Sequence, residues 1–361
     1  MLHEYIPLFL TAANRLEYEM AILKISCEIY DSHAILTGNS AIDELRGGNY
    51  APFRVWFIEG KLVVTDYYNW SLKPASGMDI GDIITHINGE TVESIVENIK
   101  KYYPASNDAR KLQNISFDLL RSKNSTIDIN YISSGQAGQK KILLFNGDMM
   151  KIYRWFIKKG KCYELINEDI GYVTIASITI EDIQSIRALF QNIKGIIIDI
   201  RNYPPIYPSG HIMFTLGSWF IDGTSNYAKH SVVNINNPGE FTFTPFLFIH
   251  NSGVTYQGKV IVLVNEITLS YAECFAMAFR SGVNTTIIGS RTAGSLGAVS
   301  TISLPGGLET RFTGIGFYYP DGTPTQRVGI VPDVWVEPTI EGIREGRDEL
   351  MEMAINLINE D

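Results

Sequence analysis

Cysteine is scarce in this chain. Cys27, Cys162 and Cys274 are its whole complement, scattered rather than clustered. Three thiols so placed exclude a disulfide framework and fit no metal-ligand spacing; at most one bridge could form, and they read as small buried residues. Positive charge is also short: Lys and Arg number 30 against 39 Asp and Glu, a net charge of −9. That balance argues against a nucleic-acid partner, which needs a basic face. No apolar run reaches the ~18 residues needed to cross a bilayer, so no integral membrane segment is expected. The N-terminus, MLHEYIPLFL, has no basic n-region and no small-residue cleavage site, so it is not a signal peptide. A chain already trimmed of a leader would begin the same way, which leaves the compartment open. There is no internal repeat, no low-complexity tract, and no metal or nucleotide motif, so no cofactor is expected. No lysine follows Lys259.

What is present is ordinary globular material. The chain has 361 residues, 45% of them hydrophobic and 19% charged, enough for two or three domains at roughly 100–200 residues each. Its centre of organisation is Val260 to Phe279, VIVLVNEITLSYAECFAMAF. The first five residues have the length and β-branching of a strand buried on both faces. Ala272, Ala276 and Phe279 are spaced for one buried helix face. Ser270 falls where strand turns into helix. Serine there suits an N-cap; a hydroxyl beside the free N–H groups of a helix N-terminus also suits a nucleophile whose product is an oxyanion.

Upstream, helices are predicted from Glu4 to about Ile29, leading to Asp31-Ser32-His33. His33 is either a helix-stop residue or a general base oriented by a neighbouring hydroxyl. Arg46-Gly47-Gly48-Asn49 is a loop and the first domain joint. From Pro52 to about Leu144 the pattern shifts to short strands, with a hairpin turn at Glu59-Gly60. Gly81-Asp82 enters a strand, Asn88-Gly89 leaves it, and a helix follows from Val92 to about Tyr102. From Gly171 onward, strands alternate with helices: Gly171–Ile175, a helix from Ile180 to Ile193, Gly195–Ile200, and then the Ser270 unit. A C-terminal helix is predicted from about Gly346 to Ile358. That alternation implies an α/β layer with active groups at strand ends.

GDIITHINGETV resembles the turn–strand–turn–helix of a PDZ domain, over roughly residues 49–146. The whole chain resembles the serine peptidases of the tail-specific (C-terminal processing) and tricorn-core superfamily. Ile198-Asp199-Ile200-Arg201-Asn202, Thr268-Leu269-Ser270-Tyr271-Ala272-Glu273, Gly289 with Thr292-Ala293-Gly294, and Gly329-Ile330-Val331-Pro332-Asp333 are similar to that superfamily's sequence blocks, in its order. The resemblance implies an N-terminal helical segment (1–48), an inserted β-rich PDZ domain (49–146) and a crotonase-like (ClpP/crotonase) α/β peptidase core (147–361). It implies a serine endopeptidase acting through an acyl-enzyme, with Ser270 as nucleophile and a peptide or protein substrate, engaged in one reading through its C-terminus. It also implies an extracytoplasmic location.

The tail-specific branch uses a lysine after its Thr-Phe-Gly block. Here that place reads Thr292-Ala293-Gly294-Ser295-Leu296, and Arg291 cannot serve, because a guanidinium keeps its proton. The tricorn branch takes its base from a Ser-His pair before the PDZ module. On that likeness His33 is the general base, Ser32 orients it, and Gln326 stands where the branch has a glutamate; a solvated loop amide is the other reading of Gln326. The Tyr271 N–H is the first oxyanion donor. The family's glycine cluster is replaced by Tyr203-Pro204-Pro205-Ile206, and two prolines remove two N–H groups, so either Ile206 or another loop supplies the second donor, or activity is low. Gly47-Gly48 reads as a carboxylate-binding loop or a linker, and His211 as a substrate contact. The alternative function is a peptide-binding pseudoprotease of the same fold.

Overall fold

A computed structural model describes residues 2–152, 160–205, 209–251 and 253–360. The chain divides into two compact units. One comprises residues 1–155, 301–312 and 338–348; the other comprises 156–300, 313–337 and 349–361.

The second unit is built on a six-stranded sheet in the order Tyr163–Asn167, Ile170–Thr174, Gly195–Asp199, Lys259–Val264, Thr285–Gly289, Val334–Trp335. The first pair is antiparallel and the remaining pairs are parallel. Residues alternate across the central strand with period two. Val260, Val262 and Val264 join a cluster with the helices Ile180–Phe190, Ser209–Gly217 and Tyr271–Arg280. Ile261 and Leu263 pack on the opposite face with Leu350, Ala354 and Ile358 of the helix Glu349–Asn359. The strand is buried on both faces, as its unbroken apolar run predicts.

The helix Tyr271–Arg280 differs from its predicted single buried face: every residue from Ala272 to Phe279 is buried. Ala272, Ala276 and Ala278 are small enough to be covered on all sides, so burial extends past the amphipathic stripe. The predicted C-terminal helix is Glu349–Asn359, and a short helix, Ile340–Glu345, precedes it. Gly346, at φ 72, ends the short helix in the left-handed conformation.

In the first unit, the helices Leu2–Thr11, Arg15–Cys27 and Ser40–Arg46 precede a sheet ordered Phe53–Ile58, Lys61–Tyr67, Ile83–Ile87, Thr126–Ser133, Gln136–Leu143. Glu59 and Gly60 have φ of 50° and 72° in the first hairpin turn, and Asn88 and Gly89 have φ of 50° and 86° in the second. Positive φ at both central residues matches the strand twist, which is why Gly ends each pair. The helix Val92–Ile99 follows, capped by Thr91. The helix Asp108–Leu119, which the strand-rich pattern hid, packs beside Phe53–Ile58.

Gly289 ends its parallel strand at φ 128, where an added Cβ would lie 1.9 Å from the Val264 carbonyl oxygen. Gly289→Ala should therefore destabilise the second unit by at least about 2 kcal/mol, read as a fall in the denaturant midpoint at unchanged m-value.

Candidate functional site

In the second unit, the four quoted sequence blocks meet at the carboxyl ends of the parallel strands. The strand Lys259–Val264 runs into a turn in which Thr268 Oγ1 donates to the Ile200 carbonyl at 2.7 Å. This fixes the Ser270 turn to the end of the neighbouring strand Gly195–Asp199. Ala293 N–H donates to the Thr268 carbonyl at 3.0 Å, which brings in the loop after Gly289. Ile330 N–H donates to Thr292 Oγ1 at 2.7 Å, which brings in the Gly329-Ile330 block.

Ser270 opens the helix Tyr271–Arg280 at φ 54 and ψ −116. An ordinary N-cap sits in the extended region; positive φ in a residue with a Cβ costs on the order of 1–3 kcal/mol and collects at functional sites. Its carbonyl accepts the N–H groups of Glu273 and Cys274 at 2.9 and 3.2 Å. Among the described residues no acceptor takes the Tyr271 N–H. That leaves one uncommitted donor beside the hydroxyl, at the positive end of the helix dipole.

Glu273 is fully buried. Its Oε2 accepts from Ser270 N–H at 2.9 Å and Ser295 N–H at 3.0 Å; its Oε1 accepts from Thr292 Oγ1 at 2.5 Å and Gly294 N–H at 2.8 Å. Burial pushes its carboxyl up, and these donors pull it back without cancelling the shift. Glu273, an acid in the helix's first turn, is thus a buried junction.

Asp199 is buried and gripped by Arg201, with Nε at 3.1 Å from Oδ1 and Nη2 at 2.9 Å from Oδ2; the Arg201 N–H and the Tyr172 hydroxyl add donors at 2.9 and 3.0 Å. Burial alone would raise its pKa, but Arg201 and these hydrogen bonds outweigh it and hold the carboxyl below its ordinary range. Asn202 Nδ2 donates to Thr174 Oγ1 at 3.0 Å. This block shapes the loop that carries Tyr203, Pro204 and Pro205. Ile206, a candidate second oxyanion donor, lies outside the described residues.

Gln326 lies in the same unit, and its amide oxygen is buried without a partner among the described residues. Its neighbour Arg327 donates its N–H to the Gly294 carbonyl at 2.7 Å, next to the Glu273 junction. A buried orphan acceptor is costly, which speaks against a solvated loop amide. His211 is exposed on the helix Ser209–Gly217. It follows Gly210, where a Cβ would meet the Tyr271 hydroxyl at 2.9 Å.

His33 belongs to the first unit. Its N–H donates to Asp31 Oδ1 at 2.9 Å, and its ring Nδ1 lies 3.6 Å from the same oxygen. Asp31 is buried, at 2% exposure, so this carboxylate faces the imidazole away from water. Ser32 exchanges two hydrogen bonds with Ser106, each at 2.9 Å. The carboxylate beside the His33 ring is thus Asp31, present in the sequence one residue before Ser32 and not singled out there. Gly47 ends the helix Ser40–Arg46 at φ 82 and donates its N–H to the Asp43 carbonyl at 2.9 Å. That N–H is thus unavailable to a ligand carboxylate. Gly48 is exposed, and its carbonyl accepts from Gly147 N–H at 3.1 Å. Among the described residues no group of three or more His, Cys, Asp and Glu is disposed to hold a metal ion.

Residues 169–336 match peptidase family S41. A carboxy-terminal-processing protease from Bartonella bacilliformis is 28% identical over 210 residues, 55% of this chain and 46% of that protein. A putative tricorn-like protease C-terminal subunit from Sulfurisphaera tokodaii is 22% identical over 291 residues, 79% of this chain and 30% of that protein. The chain thus spans less than half the length of either curated relative. Among solved structures, mature CPAF complexed with lactacystin aligns with a TM-score of 0.74 at 15% identity, over 99% of this chain and 92% of that one. The photosystem II D1 C-terminal processing protease aligns with a TM-score of 0.50 at 16% identity, over 95% and 90%. At such identities the likeness is one of fold. The S41 region begins at Asp169, on the turn before Ile170–Thr174, and includes Ser270 and Glu273.

Asp199→Asn removes the carboxylate and leaves Arg201 with an amide oxygen. It should cost about 3 kcal/mol at pH 7. A depressed folded-state pKa contributes stability above the unfolded value of about 4, and that contribution is lost as pH falls through the folded value. The gap between wild type and Asp199→Asn, measured by urea unfolding, should therefore close below about pH 4.

Proposed function

We propose that this chain is a serine endopeptidase in which Ser270 forms an acyl-enzyme with the substrate carbonyl. The observation that carries the reading is Ser270 itself: a strained residue at a strand-to-helix turn, with the uncommitted Tyr271 N–H beside it. His33 takes the Ser270 proton through Nε2 as Oγ bonds the carbonyl carbon. The assignment to Nε2 follows from Asp31 lying at Nδ1. Tyr271 N–H holds the oxyanion, with Ile206 as second donor. The imidazolium then gives its proton to the leaving amine, and water, deprotonated by His33, releases the acyl group. Asp31 and Ser32 orient the imidazole. Gln326 contributes an amide where a carboxylate would stabilise the imidazolium further.

The reading extends to the modules. Residues 147–361 are proposed as a crotonase-like core, and residues 49–146 as a PDZ domain following the helical segment 1–48. Supporting the PDZ assignment, Phe53–Ile58 is the edge strand of its sheet with the helix Asp108–Leu119 beside it. An extended peptide can add there as a strand, with Gly48 and the residues after it near its C-terminus and His211 touching substrate in the core. By likeness to C-terminal processing proteases the location is extracytoplasmic, which cell fractionation tests. No helix among the described residues is long and apolar enough to cross a membrane.

A second reading, a peptide-binding pseudoprotease, is favoured by one observation: Pro204 and Pro205 offer no N–H where the superfamily has glycines. A fluorophosphonate probe separates the two. Wild type should label and Ser270→Ala should not. His33→Ala and Asp31→Asn should slow labelling by on the order of 10²–10⁴. Labelling of wild type that survives in Ser270→Ala, or no labelling of wild type, overturns the peptidase reading.

A further inference from the structure

Glu273 grips residue 270 at both of its backbone groups. Its carboxylate takes the Ser270 N–H at 2.9 Å, and its own N–H donates to the Ser270 carbonyl at 2.9 Å. The same carboxylate takes Thr292 Oγ1, Gly294 N–H and Ser295 N–H. It is fully buried, so no water competes for these donors. A glutamate that merely served the helix dipole would do so from an exposed first turn. Ser270 at φ 54 and ψ −116 persists only where its surroundings over-determine it. Among the described residues, Glu273 is the only acceptor for its N–H.

We infer that Glu273 is a positioning residue for the Ser270 nucleophile. It fixes the strained backbone from which Oγ projects, and it commits the Ser270 N–H so that the Tyr271 N–H alone faces the oxyanion from this turn. The inference rests on the peptidase reading of Ser270.

Two substitutions divide the role. In Glu273→Gln the amide oxygen belongs on the side of Ser270 and Ser295, whose N–H groups can only donate. The amide NH₂ belongs on the side of Thr292, whose hydroxyl can turn and accept. The grip on Ser270 survives, while Gly294 N–H loses its acceptor and Thr292 Oγ1 changes from donor to acceptor at this contact. Glu273→Met keeps the chain length and removes all four acceptor contacts.

Fluorophosphonate inactivation, resolved into kinact and KI per folded molecule, provides the first readout. Glu273→Gln should stay within about 3-fold of wild-type kinact, and Glu273→Met should fall about 10²-fold, with KI unchanged in both. Wild-type kinact in Glu273→Met, or a fall in Glu273→Gln as deep as in Glu273→Met, overturns the inference. Amide exchange is the second readout and needs no activity. The Ser270 amide should stay protected in Glu273→Gln and exchange about 10-fold faster in Glu273→Met, with Phe275 to Phe279 unchanged. Unaltered Ser270 protection in Glu273→Met, or its loss in Glu273→Gln, overturns the inference; if Glu273→Met does not fold, Glu273→Gln decides by the same criterion. A wild type that never labels at Ser270 ends the peptidase reading, and the exchange result still decides the hold on Ser270.

Discussion

The arrangement at Ser270 depends on burying one carboxylate without leaving it alone. An isolated buried charge would neutralise or disrupt the core. Here the Glu273 side chain gathers donors from the start of its own helix and from the loop Thr292–Ser295. Thr292 in turn receives Ile330 N–H, and Ala293 reaches back to Thr268. Segments far apart in sequence are thus tied at one end of the parallel sheet by the requirement that a buried anion be satisfied. The apolar strands bring those ends together, and the hydrogen bonds decide their positions.

Much of this was legible in the chain. The unbroken run Val260–Val264 declared a doubly covered strand, and Glu59-Gly60 and Asn88-Gly89 declared hairpin turns, because each pattern has one main physical solution. The helix Asp108–Leu119 was missed although Leu112, Ile115 and Leu119 recur at helical spacing, because the short-strand pattern around it was extended across it. The predicted C-terminal helix was started at Gly346, which instead ends the short preceding helix in the left-handed conformation. The serine at 270 was legible as a cap or a nucleophile; its backbone angles, which no residue type announces, set strain in a turn that also carries a capping box with Glu273. Asp31 was hidden for another reason. Its side chain folds back onto the imidazole two residues later, and such short-range geometry is invisible in spacing.

The two catalytic candidates stand on different foundations. Ser270 is held by a buried, many-membered junction, whereas His33 sits in a short turn stiffened by Asp31 and by the paired hydrogen bonds of Ser32 and Ser106. Ser106 directly precedes Asn107, which caps the helix beside the edge strand Phe53–Ile58. The imidazole is therefore anchored to the part of the first unit that the peptide-binding reading assigns to ligand capture.

The chain passes between its two units five times, across the six segments 1–155, 156–300, 301–312, 313–337, 338–348 and 349–361. Domains emerging from a ribosome generally mature in order, N-terminal first. The main core of the first unit lies within residues 51–144 and can close early. The second unit waits for the helix Glu349–Asn359 that covers one face of its sheet. The nascent polypeptide must leave that apolar face bare until translation has passed nearly all of these residues.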